Sequence, residues 1–435
     1  MAGSNSNMRT SMEPFLSYLT VFRSRLGLVN LVLDVTPLGH QPDQALRRRV
    51  RQVLEQRADL ELSDPNNDVV FHYLVDKKIV GKSIRSSGRY RGLALARSDR
   101  GEWSAEAASE GAVDRISVFQ TDLWLAHPGV PSTIGVPTPD NVEEVIDFTF
   151  QLRILDRSKN SWTSTGHLIS GLRRLAAAQL ADPSNPFVLG TESAALFRAL
   201  LEKDGLFLRE LLRFLSGRET VRRNDVAHAL PAIATRAVDA ASGLRFSRQS
   251  ISAGRRLAAK LSEADAAGNA TAPGVREHRS SPRLEWLTDL GYLSKEGLAK
   301  NSFEYRVTTH LAQLVTSLDA AVAAGGDWCF VAALTAWRTN GYWEPLRHAT
   351  VLVDERTALG QAYATLRRPI GPAPLRDVGF ITGILCPSLR ATEIIERVIA
   401  LTKEIPGASL SGGRMTRSPE NIYMTDESLK ALGVT

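Results

Sequence analysis

The chain has 435 residues, 43% hydrophobic and 23% charged, an ordinary globular balance with length enough for about two to four domains. Its 53 basic residues, mostly arginine, against 47 acidic ones leave a net charge of +6, which favours a polyanionic partner. No apolar run reaches about 18 residues, no secretory pattern opens the chain, and Cys329 and Cys386 stand far apart, so a membrane span, a disulfide framework and a zinc site are not expected and a reducing cytoplasm is the simplest setting.

Residues 1–135 read as an N-terminal α+β domain. The first twelve are polar and read as disordered, and 13–35 are apolar enough for a buried helix pair or a helix entering a strand. Leu46, Val50, Val53 and Leu54 share one face of a helix over 43–60, beside Arg47, Arg48, Arg49 and Arg51. Val69 to Val75 reads as a strand or a short buried helix, and a basic run from Lys77 to Arg91 follows. Pro128, Pro131, Pro137 and Pro139 mark a linker and the first boundary.

In 136–190, Asp140 with Glu143 three residues on opens a helix whose buried side carries Ile146, Phe148 and Leu152. A polar turn from Asp156 to Trp162 leads to a basic, Ala-rich helix over 168–180. In 191–265, Thr191 or Ser193 caps a helix that Gly205 is expected to break, a second helix ends at Gly217, and 220–230 and 232–241 add two more. Short helices with tight turns fit a helix-turn-helix core or a plain bundle. Arg245, Arg248, Arg255 and Arg256 concentrate in the next helix, near Leu257 and Leu261.

In 266–320, Ser281 is placed as an N-cap with Pro282 in the first turn, and Gly291 as the stop, of a helix carrying Leu284, Leu287 and Leu290. Ser294 to Asn301 reads as a polar turn. Phe303, Tyr305 and Val307 alternate as in a strand, and Leu311, Leu314, Val315 and Leu318 line a helix. Lys300-Asn301-Ser302-Phe303 and Thr308-Thr309-His310-Leu311 echo Lys159-Asn160-Ser161-Trp162 and Thr165-Gly166-His167-Leu168. The gap differs by two residues, one strand repeat, which places His167 and His310 at equivalent points of a repeated helix–hairpin–helix unit. A chance match of short strings is the alternative. In 321–435, an apolar helix spans Trp328 to Trp337, Thr350 to Asp354 is strand-like, and 358–366 and 389–404 are helical. A basic-tipped hairpin over 408–425 and a last helix over 426–432 make a third unit of the same kind.

Helix, short apolar corner, basic hairpin, strand and helix in succession resemble the second half of a winged-helix DNA-binding domain of prokaryotic type. The resemblance implies a mainly α (α+β) fold of tandem winged-helix-like modules with short β-hairpin wings. These would occupy 136–190, 266–320 and 321–435, with a helix-turn-helix-like module at 191–265. In such proteins the helix before the hairpin reaches base edges and the wing meets phosphate or the minor groove. Arg276, Arg279, Ser280 and Arg283 then lie at the start of that helix, and Lys295, Lys300 and Asn301 on its wing. In the earlier copy Arg157, Lys159 and Asn160 are wing residues, Arg173 and Arg174 support the phosphate contact, and Arg222 and Arg223 add to the 191–265 module. Glu285 and Asp289 depart from the pattern, being awkward in a groove.

The implied function is non-enzymatic binding of double-stranded DNA, as a recognition or adaptor subunit of a prokaryotic regulatory, genome-defence or mobile-element complex. Its partners would be DNA and other protein subunits or a second copy, with no cofactor, metal or membrane. A protein-interaction scaffold docking through Trp328 to Trp337 is the alternative, and a metal-dependent nuclease using Asp64, Asp68 and Asp76 is third. Gly81-Lys82-Ser83 lacks the earlier glycine of a phosphate loop, Asp76 standing in its place, although Asp354 and Glu355 end a strand-like stretch as magnesium-positioning acids do.

Overall fold

The computed structural model describes residues 26–36, 44–50, 146–176, 189–243, 248–266, 272–299, 302–344, 347, 352–367, 371–412 and 419–434. The readings for 1–25 and 51–145, with Asp64, Asp68, Asp76 and the Asp140 cap, lie outside these residues, as do Lys300, Asn301 and the hairpin tip at 413–418.

The described chain is mainly helical, with three small antiparallel sheets. In order it forms α1 (Gly27–Val35), α2 (44–50), α3 (146–151), β1 (Leu155–Asp156), β2 (Ser161–Trp162), α4 (Ser164–Ala176), α5 (Ser193–Ser216), β3 (Thr220–Arg222), α6 (Arg223–Gly243), α7 (Arg248–Ala266) and α8 (Ala272–Asp289). Then come β4 (Leu293–Ala299), β5 (Ser302–Val307), α9 (His310–Ala324), α10 (Trp328–Thr339), α11 (Glu355–Leu366), β6 (Ala373–Pro374), α12 (Leu375–Leu385), α13 (Ile394–Glu404), β7 (Ala408–Gly412), β8 (Pro419–Met424) and α14 (Asp426–Ala431).

Helix α5 is the axis of the fold. Its apolar residues face all sides, as a helix enclosed by others requires, and α4, α6, α9 and α10 pack around it. Gly205 does not break it. A Cβ there would stand 2.5 Å from the Trp328 ring, so the glycine opens a slot for that indole. Close packing outweighs the roughly 1 kcal/mol that glycine costs inside a helix. Pro231 and Pro282 likewise lie inside α6 and α8. Ser281 is therefore no cap, and α8 begins at Ala272. Each proline removes one backbone donor. The turns around Pro282 are held by the buried Leu284, Trp286, Leu287 and Leu290.

The sheets join distant parts of the chain. Val221 of β3 pairs with Tyr305 of β5, and β4 pairs with the other edge of β5, giving the order β3-β5-β4. Residues 191–265 and 266–320 thus share one sheet, and the boundary expected at 265 falls within a single unit. The boundary at 320 falls within α9. Ser294 to Ala299 is a strand rather than a turn, because β5 supplies partners as far as the Ala299–Ser302 pair. In the C-terminal part, α11, β6, α12, α13 and the β7–β8 hairpin follow one another, with sheet order β6-β8-β7. The same arrangement therefore occurs twice: a helix, an edge strand, further helices, and a hairpin whose second strand takes the middle of the sheet.

A shared corner precedes the first two hairpins. After α3, Arg153 (φ 53°) donates its N–H to Phe150 O at 3.0 Å and Ile154 donates to Thr149 O at 2.9 Å. After α8, Gly291 (φ 75°) donates to Thr288 O at 3.0 Å and Tyr292 to Leu287 O at 2.8 Å. This is a left-handed helix stop with paired closing bonds. After each of the three hairpins a threonine N–H returns to the residue before the first strand: Thr163 to Ile154 O, Thr308 to Tyr292 O and Thr425 to Gly407 O, at 3.0, 3.1 and 3.3 Å. Thr163 therefore matches Thr308, so the equivalence expected between His167 and His310 is off by two residues. The strands of the first hairpin have two residues each, against seven and six in the second. Phe148 and Trp286, each six residues ahead of Ile154 and Tyr292, stack on one another at 5.5 Å and 17°. The helices before the two hairpins thus meet through matching positions.

Candidate nucleic-acid interface

The residues that sequence reasoning placed on DNA fall into three groups. The first hairpin carries Arg157 and Lys159 on its exposed tip. Arg157 is 68% exposed, donates to Asp147 Oδ1 at 2.6 Å and lies 4.9 Å over the Phe150 ring. Asp156 closes the turn by accepting from Ser158 Oγ and N at 2.6 and 2.8 Å, and these hydrogen bonds hold its carboxyl below the usual carboxylate range. Asn160 is buried and takes φ 48°, a left-handed turn position that asparagine tolerates, so it shapes the hairpin turn rather than presenting to a ligand. Arg222 is exposed across the strand from Glu304, at 3.6 Å, and Arg223 is half-buried.

The second group is structural. Arg173 Nη1 donates to both oxygens of Asp34 at 2.7 Å and ties α4 to α1, while Arg174 reaches Thr365 O of α11 at 3.5 Å. Ser280 is wholly buried, and Arg283 is 1% exposed. The Arg283 guanidinium bonds Asp204 Oδ2 and Oδ1 at 2.6 and 3.1 Å and lies 4.3 Å over the Phe207 ring. Neither Ser280 nor Arg283 is presented to a duplex, because this half of α8 is buried, with α6 and β4 packed on the helix and Arg283 held to α5 by Asp204 and Phe207. The same packing removes the concern over acids in the groove. Glu285 accepts from Tyr305 Oη at 2.7 Å, and Asp289 accepts the Leu26 N–H at the start of α1 at 2.8 Å. The third group, Arg276 and Arg279 on α8 and Lys295 on β4, is placed by backbone only.

Sequence reasoning carried no site residue onto the C-terminal helix–hairpin pair. There α12 is buried along its length, whereas α13 buries only Ile394, Val398, Leu401 and Thr402 and turns Glu396, Arg397, Ala400 and Lys403 outward. Arg338 of α10 fixes the turn between them, donating to Leu389 O at 2.6 Å and Gly383 O at 2.7 Å; burial pushes this guanidinium down to about 10. Arg390 and Thr392, just before α13, are exposed. The signal was present in the period of Ile394, Val398 and Leu401 immediately ahead of the hairpin.

Other expectations change with the structure. Trp328, Cys329, Phe330, Leu334 and Trp337 of α10 are buried, so this helix offers no docking face. Residues 352–354 form no strand, and Asp354 caps α11 by accepting from Arg356 N, Thr357 N and Thr357 Oγ1. Those bonds, the Thr357 hydroxyl foremost, hold its carboxyl below the usual range. Among the described residues no group of three or more His, Cys, Asp or Glu side chains is placed to hold a metal, and no helix is long and apolar enough to cross a membrane. Comparison with family models, with curated proteins and with solved structures gave no match.

Proposed function

We propose that the chain is a non-enzymatic duplex-DNA-binding protein built from winged-helix units, one formed by α5 to β5 and one by α11 to β8. The observation that carries this reading is the recurrence of edge strand, helices and hairpin with the hairpin's second strand central, at β3-β5-β4 and again at β6-β8-β7. In the C-terminal unit the helix before the hairpin is one-sided and open, as a groove-reading helix must be. Its leading residues, Arg390 and Thr392, would meet base edges, and the β7–β8 hairpin would lie against the phosphates. In the other unit the second half of α8 is enclosed, which leaves its first turns, with Arg276 and Arg279, and the β4–β5 hairpin as the contacting parts. A role as recognition or adaptor subunit of a prokaryotic regulatory, defence or mobile-element complex accords with a binder of this kind.

Titrating the whole chain against duplexes of about 30 bp between about 50 and about 200 mM salt tests the reading, because phosphate contacts make affinity fall steeply with salt. Arg390→Ala is expected to lose about 1–3 kcal/mol on a preferred site and little on unrelated duplexes. Absence of duplex binding at the lowest salt overturns the reading.

A further inference from the structure

Helix α7 packs on α6 and α8 through the buried Leu257 and Leu261, with Ile251 and Ala258 beside them. Its other side carries Arg248, Arg255, Arg256 and Lys260, all exposed. The spacing i, i+7, i+8 and i+12 keeps the four on one side over about 18 Å of helix. Among the described residues, their one side-chain hydrogen bond is from Arg256 Nη1 to Ser252 Oγ, at 3.0 Å. Among the described residues, no carboxylate lies within ion-pair distance of any of the four.

That lack of compensation is unlike much of the surface. Arg157, Arg173, Arg209, Arg356, Arg367 and Arg397 each meet an Asp or Glu oxygen at 2.5–2.9 Å. On α7 the cations instead stand beside one another. Arg256 and Lys260 are four residues apart, a spacing at which like charges repel. Four cations on one helix side with no carboxylate partner among the described residues make a surface that gains from an external polyanion.

We infer that the outer side of α7 is a phosphate-backbone track for duplex DNA, separate from the helix–hairpin contacts. The inference rests on the DNA-binding reading above and extends it to a surface that neither hairpin supplies. Duplex DNA carries one charge per about 1.7 Å of axis, so an 18 Å track runs beside roughly five base pairs. Arginine forks suit phosphate oxygens. The other exposed residues among those described, Ser252, Ala259 and Ser262, offer little to a base edge, so the track supplies affinity and orientation rather than sequence choice.

The test compares the whole chain with its R248Q/R255Q/R256Q/K260Q variant on three unrelated duplexes across the same salt range. Each lost phosphate contact removes about 0.9 from the slope of log affinity against log salt. The variant is expected to bind all three duplexes more weakly by a similar factor, with a slope shallower by about 3–4. Its unfolding midpoint in urea should match the parent, since the four side chains are exposed. If the parent binds duplex and the variant shows the same affinity and slope, the track is refuted while the DNA-binding reading stands. If the parent binds no duplex, both fall. Stronger, variant-sensitive binding to single-stranded RNA or to anionic vesicles overturns duplex DNA as the occupant.

Discussion

Arg283 and Asp204 show how a single residue's role depends on what surrounds it. By position Arg283 belongs to the face of α8 expected to meet DNA, yet its charge is matched inside the protein. Removing one partner of a fully buried pair strands the other, so Asp204→Ala is expected to cost about 3–5 kcal/mol in urea unfolding. Replacing both, as D204L/R283M, should recover most of that loss. Glu192 is a second buried group. Asn30 Nδ2 donates to its Oε1 at 3.0 Å, and its Oε2 has no hydrogen-bond partner among the described residues. Burial pushes this carboxyl above its ordinary 4.5, and the hydrogen bonds and Arg173 only partly oppose that. The folded state therefore holds the proton more tightly than the unfolded state. The resulting stability is full below 4.5 and is lost as pH rises through the folded value. Glu192→Gln is accordingly expected to raise the melting temperature at pH 7, with the advantage shrinking towards pH 4.

At the scale of elements, short turns and caps fix where each helix yields to a hairpin. Gly291 takes φ 75°, a conformation that costs a residue with a Cβ about 1–2 kcal/mol, so Gly291→Ala should lower the unfolding free energy measured in urea by that amount. Thr425 caps α14 by accepting the Ser428 N–H at 3.2 Å, and Thr425→Ala should cost about 1 kcal/mol. Such features are local, which is why Gly291, the strand 302–307 and the helices at 310–324, 328–339 and 426–431 were legible from spacing alone. Strand β3 was not. Its three residues have no pattern of their own and become a strand only because β5 lies beside them. Helices α5, α6 and α8 were read as broken at Gly205, before Ala232 and before Ser281, because local propensity there runs against the tertiary packing that holds each helix together.

At the scale of the whole molecule, one apolar core runs from Leu26 to Leu429 and an ion network crosses it. Arg198 of α5 meets Glu202 and Asp377, each at 3.0 Å. Arg376 of α12 meets Glu202 at 2.6 Å and also Asp327, the cap of α10. Burial alone would raise the Glu202 and Asp327 carboxyls, but Arg198 and Arg376 outweigh it and hold both below their usual range. For depressed carboxyls the stabilisation is present above the unfolded values, 4.5 and 3.8, and is lost as pH falls through the lower folded ones. Acid should therefore loosen the junction of α5, α10 and α12 first, seen as faster amide exchange in α12. Arg376→Met is expected to cost about 3 kcal/mol at pH 7 and to remove part of that acid sensitivity. Because the core is continuous, fluorescence and circular dichroism should report coincident unfolding transitions among the ordered elements.

The sequence by itself determined the helical class, the three places where a helix meets a hairpin, and the basic excess, because periodicity and composition act over a few residues. It also placed arginines along α7, whose exposure on one side of the helix the spacing could not reveal. Only the tertiary structure decided that β3 closes the sheet of a hairpin far downstream. Only it showed that the second half of α8 is enclosed while α13 is open, and that Ser280, Arg283 and Asn160 face inward. Burial and charge pairing are settled by residues distant in the chain, and a basic side chain reads the same in sequence whether its partner is a buried aspartate or a phosphate outside.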